Sequence, residues 1–134
     1  KTGAYTFRLP VRLAAVLACT GDDLSLDGFS RHAGIAFQLS NDRQGLGDWL
    51  AGGPIPDDLR DGRPIWAAVW AWRAADAGAQ RLFVRPLAPA FRDWFRTSGA
   101  MDALDRAIQE HVEAARNRLP DPALRGELDA AFPS

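Results

Sequence analysis

Apolar residues recur along this chain every three or four positions, which is the spacing of one face of an α-helix. Residues 101–119 show it most clearly: Met, Leu, Ile, Val, Ala and Leu follow at intervals of 3, 4, 4, 3 and 4 positions, and polar residues take the other face. No proline interrupts residues 25–50, which we expect to form one long helix. Because no alternating strand pattern or hairpin turn occurs, the sequence predicts an all-α fold.

Shorter helices and one loop complete the predicted fold. Residues 1–19 favour a helix that is kinked or restarted at Pro10. Gly, Pro and Asp dominate residues 51–62, which therefore predict a loop. We expect one or two helical turns near residues 90–95 and a last short helix over residues 122–132.

A third helix is expected to open at Arg63-Pro64, with the proline in its first turn, and to end near residue 77. Its large apolar side chains are Trp66, Val69, Trp70 and Trp72. Because these make the segment strongly apolar, we expect this helix to pack inside the protein.

One face of the long helix over residues 25–50 is polar and interrupted by glycines. Its members fall three or four residues apart and so share a face: Arg31, Gly34, Gln38, Asn41, Asp42, Gly45 and Asp48. A buried helix with such a stripe typically lines a cavity or another helix's backbone. Oxygen-bearing side chains at Gln38, Asn41 and Asp42 suit a hard cation such as Mg²⁺, although the spacing alone fits a solvated patch equally well.

Composition narrows the function classes. The 134 residues are enough for one domain or for half of a larger one, and 47% of them are hydrophobic. The formal net charge of −1 gives no general electrostatic case for nucleic acid or an anionic membrane as a partner. We interpret the single cysteine, Cys19, as a buried small apolar residue. No signal peptide or spanning segment is visible, so we expect a cytoplasmic protein without a membrane span.

Three other features could carry chemistry. The loop from Gly52 to Arg63 could cradle an anion or move as a lid, or it could be an ordinary surface turn. Lys1-Thr2-Gly3 could bind phosphate at a helix start or simply be exposed. His32 and His111 have no further ligand at zinc spacing, so we expect neither to form a zinc site.

Several of these stretches, taken in order, resemble the C-terminal half of the trans-isoprenyl diphosphate synthases, the polyprenyl synthetase family. The matching stretches are Lys1-Thr2-Gly3, the nine residues from Gly34 to Asp42, the loop from Gly52 to Pro64, and Ser98 to Met101. The resemblance covers nearly the whole chain. It implies an isoprenoid-synthase-type helical bundle, of which residues 1–134 form the C-terminal part of a single domain.

Members of this family join allylic diphosphates to isopentenyl diphosphate, head to tail, using Mg²⁺. Two Asp-rich motifs on facing helices hold the metal ions, which grip the allylic diphosphate. The ions offset the charge of the departing diphosphate, and an apolar cavity shelters the allylic cation. The resemblance therefore implies a Mg²⁺-dependent prenyltransferase that acts on isoprenoid diphosphates, and a homodimer.

The second Asp-rich motif of the family matches the stretch that begins at Asn41. Phe37 and Gln38 match the Phe-Gln pair that precedes this motif and faces the allylic substrate. Asn41 and Asp42 match its first two acidic positions and would bind the metal. Gly45 stands where a third carboxylate is usual, so Asp42 is the one acidic ligand. The resemblance implies that Gln38 and Asp42 take part in catalysis.

The family's basic substrate contacts match three positions. Lys1 and Thr2 match a Lys-Thr pair whose lysine contacts the diphosphate, and Arg63 matches the basic residue after the glycine-rich loop. The family's first Asp-rich motif lies upstream of these positions and is not among the 134 residues. We therefore expect an N-terminal half that is missing here or is supplied by another chain.

Two alternatives stay open. One is a terpene cyclase or diphosphate lyase of the same fold, since Asn41-Asp42 also begins the Asn-rich metal motif of those enzymes. That motif expects a hydroxyl at Gly45 and an acid at Trp49, and neither is present. The other is a non-catalytic subunit of a prenyl synthase, which the lost carboxylates favour. The retained Gln38 and Arg63 speak against it.

Overall fold

Seven α-helices, and no strand, make up the described part of the chain, which confirms the predicted all-α fold. A computed structural model of the protein describes residues 23–84, 89–119 and 122–132. A 3₁₀ turn, Arg81–Val84, follows the fourth helix. The helices are α1 (Asp23–Leu50), α2 (Asp57–Arg60), α3 (Trp66–Ala74), α4 (Ala77–Gln80), α5 (Pro89–Thr97), α6 (Ala100–Arg116) and α7 (Pro122–Ala131). The helix predicted over residues 1–19 lies outside the described residues.

The two strongest helix predictions are confirmed. The predicted long helix is α1, and the regular amphipathic pattern is α6, which buries Leu104, Ile108 and Val112. Gly99 joins α5 to α6 with a φ of 79°, a conformation that glycine adopts without steric cost. Ser98 fixes this junction, because its hydroxyl accepts from the Ala100 N–H at 3.2 Å and donates to the Phe95 carbonyl at 2.8 Å.

The segment between α1 and α3 differs from the prediction in two ways. Residues 51–62 are not one continuous loop, because α2 forms a single turn in which Arg60 pairs with Asp57 at 2.8 Å. The third helix also begins later than predicted. The Arg63 N–H donates to the Asp58 carbonyl at 2.7 Å and Ile65 is extended, so Pro64 lies outside α3.

The orientation of α3 is also different, and the expectation that its tryptophans pack inside is wrong for Trp66 and Trp72, whereas Trp70 is half-buried. The buried residues of this helix are Ala67, Ala68 and Ala71. Trp66 and Trp72 are 37% and 48% exposed. Alanine side chains let the α3 backbone approach its neighbours closely, which places the bulkier residues on the outer face.

Contacts divide the chain into two compact units. The first unit combines residues 1–38 with residues 107–134. Its core contains Ala33, Ala115, Leu119 and Leu128, with Phe29 and Phe132 packed against them. Two arginines support α7: Arg125 donates a hydrogen bond to the Leu119 carbonyl at 2.7 Å, and Arg116 forms a salt bridge with Asp129 at 3.2 Å.

The second unit, residues 39–106, is organised around aromatic rings. Trp49, near the end of α1, lies 6.0 Å from Phe91 and 5.8 Å from Phe95, measured between ring centroids. Phe83 lies 4.9 Å from Phe91, nearly at a right angle to it. Arg96 of α5 donates to the Leu50 carbonyl at 2.7 Å and so satisfies the C-terminal end of α1.

Within the described ranges, no helix combines the length and the apolar character needed to cross a bilayer. The longest, α1, has 28 residues but carries polar side chains throughout.

Candidate functional site

The predicted metal and substrate residues of α1 lie on two successive turns of one helix. Gln38 and Asp42 are four positions apart, as are Phe37 and Asn41, so each pair shares a face. Phe37, Gln38 and Asn41 are exposed, and Asp42 is half-buried. Phe37, Gln38 and Asp42 are each engaged in interactions.

The polar stripe of α1 faces outward along most of its length, which differs from the expected buried lining. Arg31, Asn41 and Asp48 are exposed, whereas the opposite face is buried. The residues that bury this opposite face are Ala33, Ala36, Leu39 and Leu46. In the described structure, α1 therefore buries one side, while Phe37 is exposed among the polar residues of the other.

The stripe supplies few metal ligands. Asp42 offers one carboxylate and Asn41 one amide oxygen, and no group of three or more His, Cys, Asp or Glu in the described ranges could hold a metal ion. Mg²⁺ commonly binds through one or two carboxylates and completes its shell with water and phosphate oxygens. Asp42 and Asn41 therefore fit a Mg²⁺ ion that arrives with a diphosphate better than an ion held by protein side chains alone.

Arg43, inside the same motif, has a structural role. Its guanidinium donates two hydrogen bonds to the Asp105 carboxylate, at 2.9 and 3.3 Å, and so joins α1 to α6 within the second unit. Hydrogen bonding to Asp105 raises the pKa of Arg43 further above its usual value. The pair is about half exposed, so its contribution to stability is modest.

Arg63, the predicted diphosphate contact, is held by the loop that precedes it. Its guanidinium lies 2.9 Å from the Asp58 carboxylate and 3.6 Å from that of Asp61. The side chain is 66% exposed, so these contacts leave part of it accessible to solvent.

An apolar groove of about 240 Å³ lies beside Arg63. The groove is smaller than the roughly 300–1,000 Å³ of most small-molecule pockets. The apolar residues that line it come from α2, α3 and the segments around them: Leu59, Pro64, Ala68, Val69, Trp72 and Phe83. The structure thus brings a guanidinium to the rim of an apolar groove, which sequence reasoning missed because it placed the tryptophans inside.

The two histidines form a pair that spacing did not predict. Nδ1 of His32 lies 2.9 Å from Nδ1 of His111, although 79 positions separate them in sequence, and the ring centroids are 5.2 Å apart. Burial, followed by the charges of His111, Arg118 and Arg31, lowers the pKa of His32 below 6.5. The only signal in the sequence was that each histidine lies on a long predicted helix.

Lys1 and Thr2, the remaining predicted substrate contacts, lie outside the described residues. Phe37, Gln38, Asn41 and Asp42 thus lie on successive turns of α1, and Arg63 pairs with Asp58 and Asp61. Comparison of the chain with models of known protein families, with curated proteins and with solved structures found no match.

Proposed function

We propose that this protein is a prenyltransferase-fold enzyme that acts on allylic isoprenoid diphosphates and condenses them head to tail with isopentenyl diphosphate. The observation that carries the proposal is the position of Arg63 at the rim of an apolar groove. A substrate with an anionic head and an apolar chain needs both features close together. The cytoplasmic location expected from the sequence is part of the same proposal.

The stripe on α1 supports the proposal. Asp42 and Asn41 would hold Mg²⁺, and Gln38 lies one turn before Asp42 on the same face. When bound, the metal would offset the charge of the departing diphosphate. Arg63 would exchange its contacts with Asp58 and Asp61 for the diphosphate, because a guanidinium binds phosphate oxygens in the same two-pronged manner.

A non-catalytic subunit of a prenyl synthase is the second candidate. One observation favours it: Trp66, Val69 and Trp72 expose apolar surface on one helix. Exposed apolar residues that lie together are typical of protein–protein contacts.

The decisive experiment incubates the full-length natural protein with geranyl or farnesyl diphosphate, with and without isopentenyl diphosphate, in the presence and absence of Mg²⁺. We expect chain elongation that needs both isopentenyl diphosphate and Mg²⁺. Hydrocarbon or alcohol products would replace the condensation proposal with the cyclase alternative. Unchanged substrate would refute an enzyme and favour the non-catalytic subunit.

Variants on α1 test the metal assignment. We expect Asp42→Ala to lower turnover about 100-fold, which corresponds to about 2.7 kcal/mol of lost transition-state stabilisation. Asp102→Ala removes an exposed carboxylate outside the motif and is expected to keep normal turnover. Circular dichroism and thermal unfolding check that both variants fold. Undiminished turnover of Asp42→Ala would refute the role of this carboxylate.

Gly45 allows the converse test. A Cβ at this position would lie 3.8 Å from the Pro56 ring, an ordinary van der Waals distance, so a side chain fits there. Gly45→Asp would add one of the two carboxylates that the motif lacks. We expect this variant to reach half-maximal turnover at a lower Mg²⁺ concentration than the natural protein. An unchanged Mg²⁺ requirement would count against metal binding at this end of the motif.

A further inference from the structure

The first arginine near the histidine pair of the first unit is Arg118. Gly28 lies one helical turn before His32 on α1, and Arg118 lies in the turn that follows α6. A Cβ on Gly28 would collide with the guanidinium of Arg118, so this arginine lies directly against the surface of α1. Arg118 therefore lies against α1 about one helical turn from His32.

Among the described residues, the charged groups that act on His32 are all basic. Arg31 is adjacent to His32 on α1, and the groups whose charges act on His32 are His111, Arg118 and Arg31. The carboxylate of Asp129 on α7 pairs with Arg116 and not with Arg31 or Arg118. Among the described residues, Arg31 and Arg118 form no salt bridge, in contrast to Arg116.

We propose that Arg31, Arg118 and the His32–His111 pair form a binding site for the phosphate group of a small phosphate-bearing ligand. Guanidinium groups bind phosphate oxygens with short, charge-assisted hydrogen bonds. A dianion would also relieve the mutual repulsion of the basic groups. Both arginines are exposed and both histidines are half-buried, so a phosphate group can reach them from solvent.

The histidine pair adds a proton-linked element to this site. The contact between the Nδ1 atoms uses one N–H as the donor and one lone pair as the acceptor, which leaves both Nε2 atoms for other partners. In the neutral pair only one Nε2 carries a proton. If the pair takes up one proton, the bridge is kept and both Nε2 atoms become donors. Phosphate binding is therefore expected to draw one proton onto the pair near neutral pH.

A metal ion is a poorer occupant of the same place. Two histidines alone provide half of a tetrahedral zinc shell, and no described Cys, Asp or Glu completes it. The two neighbouring guanidinium groups repel a cation and attract an anion. The charge of the cluster thus selects phosphate over a metal.

Titration with inorganic phosphate, followed by isothermal calorimetry at pH 6.5, tests the site directly. We expect saturable binding that sodium chloride at the same ionic strength does not reproduce. The Arg31→Gln/Arg118→Gln double variant should bind phosphate at least about tenfold more weakly, since hydrogen bonds to two charged groups are lost. The Arg73→Gln/Arg106→Gln double variant removes the same charge from exposed positions outside the cluster and should bind like the natural protein.

A second readout identifies the histidines. The pKa of His32 measured by NMR should rise when phosphate saturates the protein, because the bound anion stabilises the protonated pair. Phosphate effects that match those of chloride, or equal binding by the two double variants, would overturn the proposal. The inference does not rest on the proposed isoprenoid function, since inorganic phosphate is the only ligand used.

Discussion

At the scale of single residues, neighbouring side chains decide how the charged groups of α1 are used. Asp42 and Arg43 are adjacent in sequence, but Arg43 is committed to Asp105 on α6. Exposed pairs of this kind contribute roughly 0.2–1 kcal/mol, so Arg43 orients α1 more than it stabilises the protein. We therefore assign the proposed catalytic role in this stretch to Asp42 and the residues that share its face of α1, and not to Arg43.

The histidine pair predicts how stability depends on pH. The pKa of His32 is lowered in the folded protein, mainly by burial, whereas the unfolded chain has the ordinary value of about 6.5. Between the lowered pKa of the folded state and pH 6.5, the unfolded state binds more protons than the folded state. The contribution of His32 to the free energy of unfolding is therefore complete above about pH 6.5 and declines as the pH falls below it. We expect the urea midpoint at pH 5.5 to be lower than that at pH 7.5 in phosphate-free buffer.

The His32→Gln variant separates this effect from the titration of carboxylates. Glutamine keeps a polar side chain beside His111 but does not titrate. The difference between the urea midpoints at pH 7.5 and pH 5.5 should therefore become smaller. If the variant and the natural protein lose the same stability between pH 7.5 and 5.5, then His32 is not responsible for the decline.

At the scale of elements, α3 shows that the size of side chains can outweigh their hydrophobicity. Ala67 and Ala71 are 0% and 1% exposed, while Trp72 is 48% exposed. Burying the large tryptophan side chains would remove more apolar surface from water. The observed orientation instead allows close packing of the helix backbone and leaves Trp72 beside the groove at Arg63.

Paired arginine substitutions on α3 test this orientation. We expect Ala71→Arg to lower the free energy of unfolding by about 3 kcal/mol or more, because it forces a charged side chain into a filled site. Trp72→Arg, at the next position, should change it by no more than about 1 kcal/mol, because much of this side chain already faces solvent. Urea unfolding measures both values. The reverse order would show that the tryptophan face is the buried one.

At the scale of the whole molecule, stability in the second unit depends on a few aromatic rings. Phe91 and Phe95 are 0% exposed, and both contact Trp49 of α1. Edge-on and tilted ring contacts add roughly 0.5–1.5 kcal/mol each beyond the burial of area. The short helix α5 is therefore held by its aromatic side chains more than by its length of nine residues.

Truncation of Phe91 tests this dependence. We expect Phe91→Ala to lower the free energy of unfolding by about 3–5 kcal/mol, since it leaves a cavity in contact with Trp49, Phe83 and Phe95. This is a large share of the roughly 5–15 kcal/mol that stabilises a typical protein. Phe91→Leu fills most of the space and should cost less. Equal losses in both variants would indicate that ring contacts, and not the cavity, carry the effect. A loss below about 1 kcal/mol would contradict a central role for Phe91.

The regular helices could be predicted from the sequence because their information is local. The apolar repeat of α6 and the proline-free run of α1 each specify a helix through contacts three and four residues apart. The boundaries near Pro64 were not predictable in the same way. They depend on the hydrogen bond from Arg63 to Asp58, which belongs to the preceding turn.

The sequence by itself determined the all-α class, the positions of the long helices, and the presence of Phe37, Gln38, Asn41 and Asp42 on one helix. Only the tertiary structure decided that α3 buries its alanines, that Arg63 borders a groove, and that His32 meets His111. The physical reason is that periodicity reports which residues share a face, whereas the partner of that face is set by packing between segments that are distant in sequence.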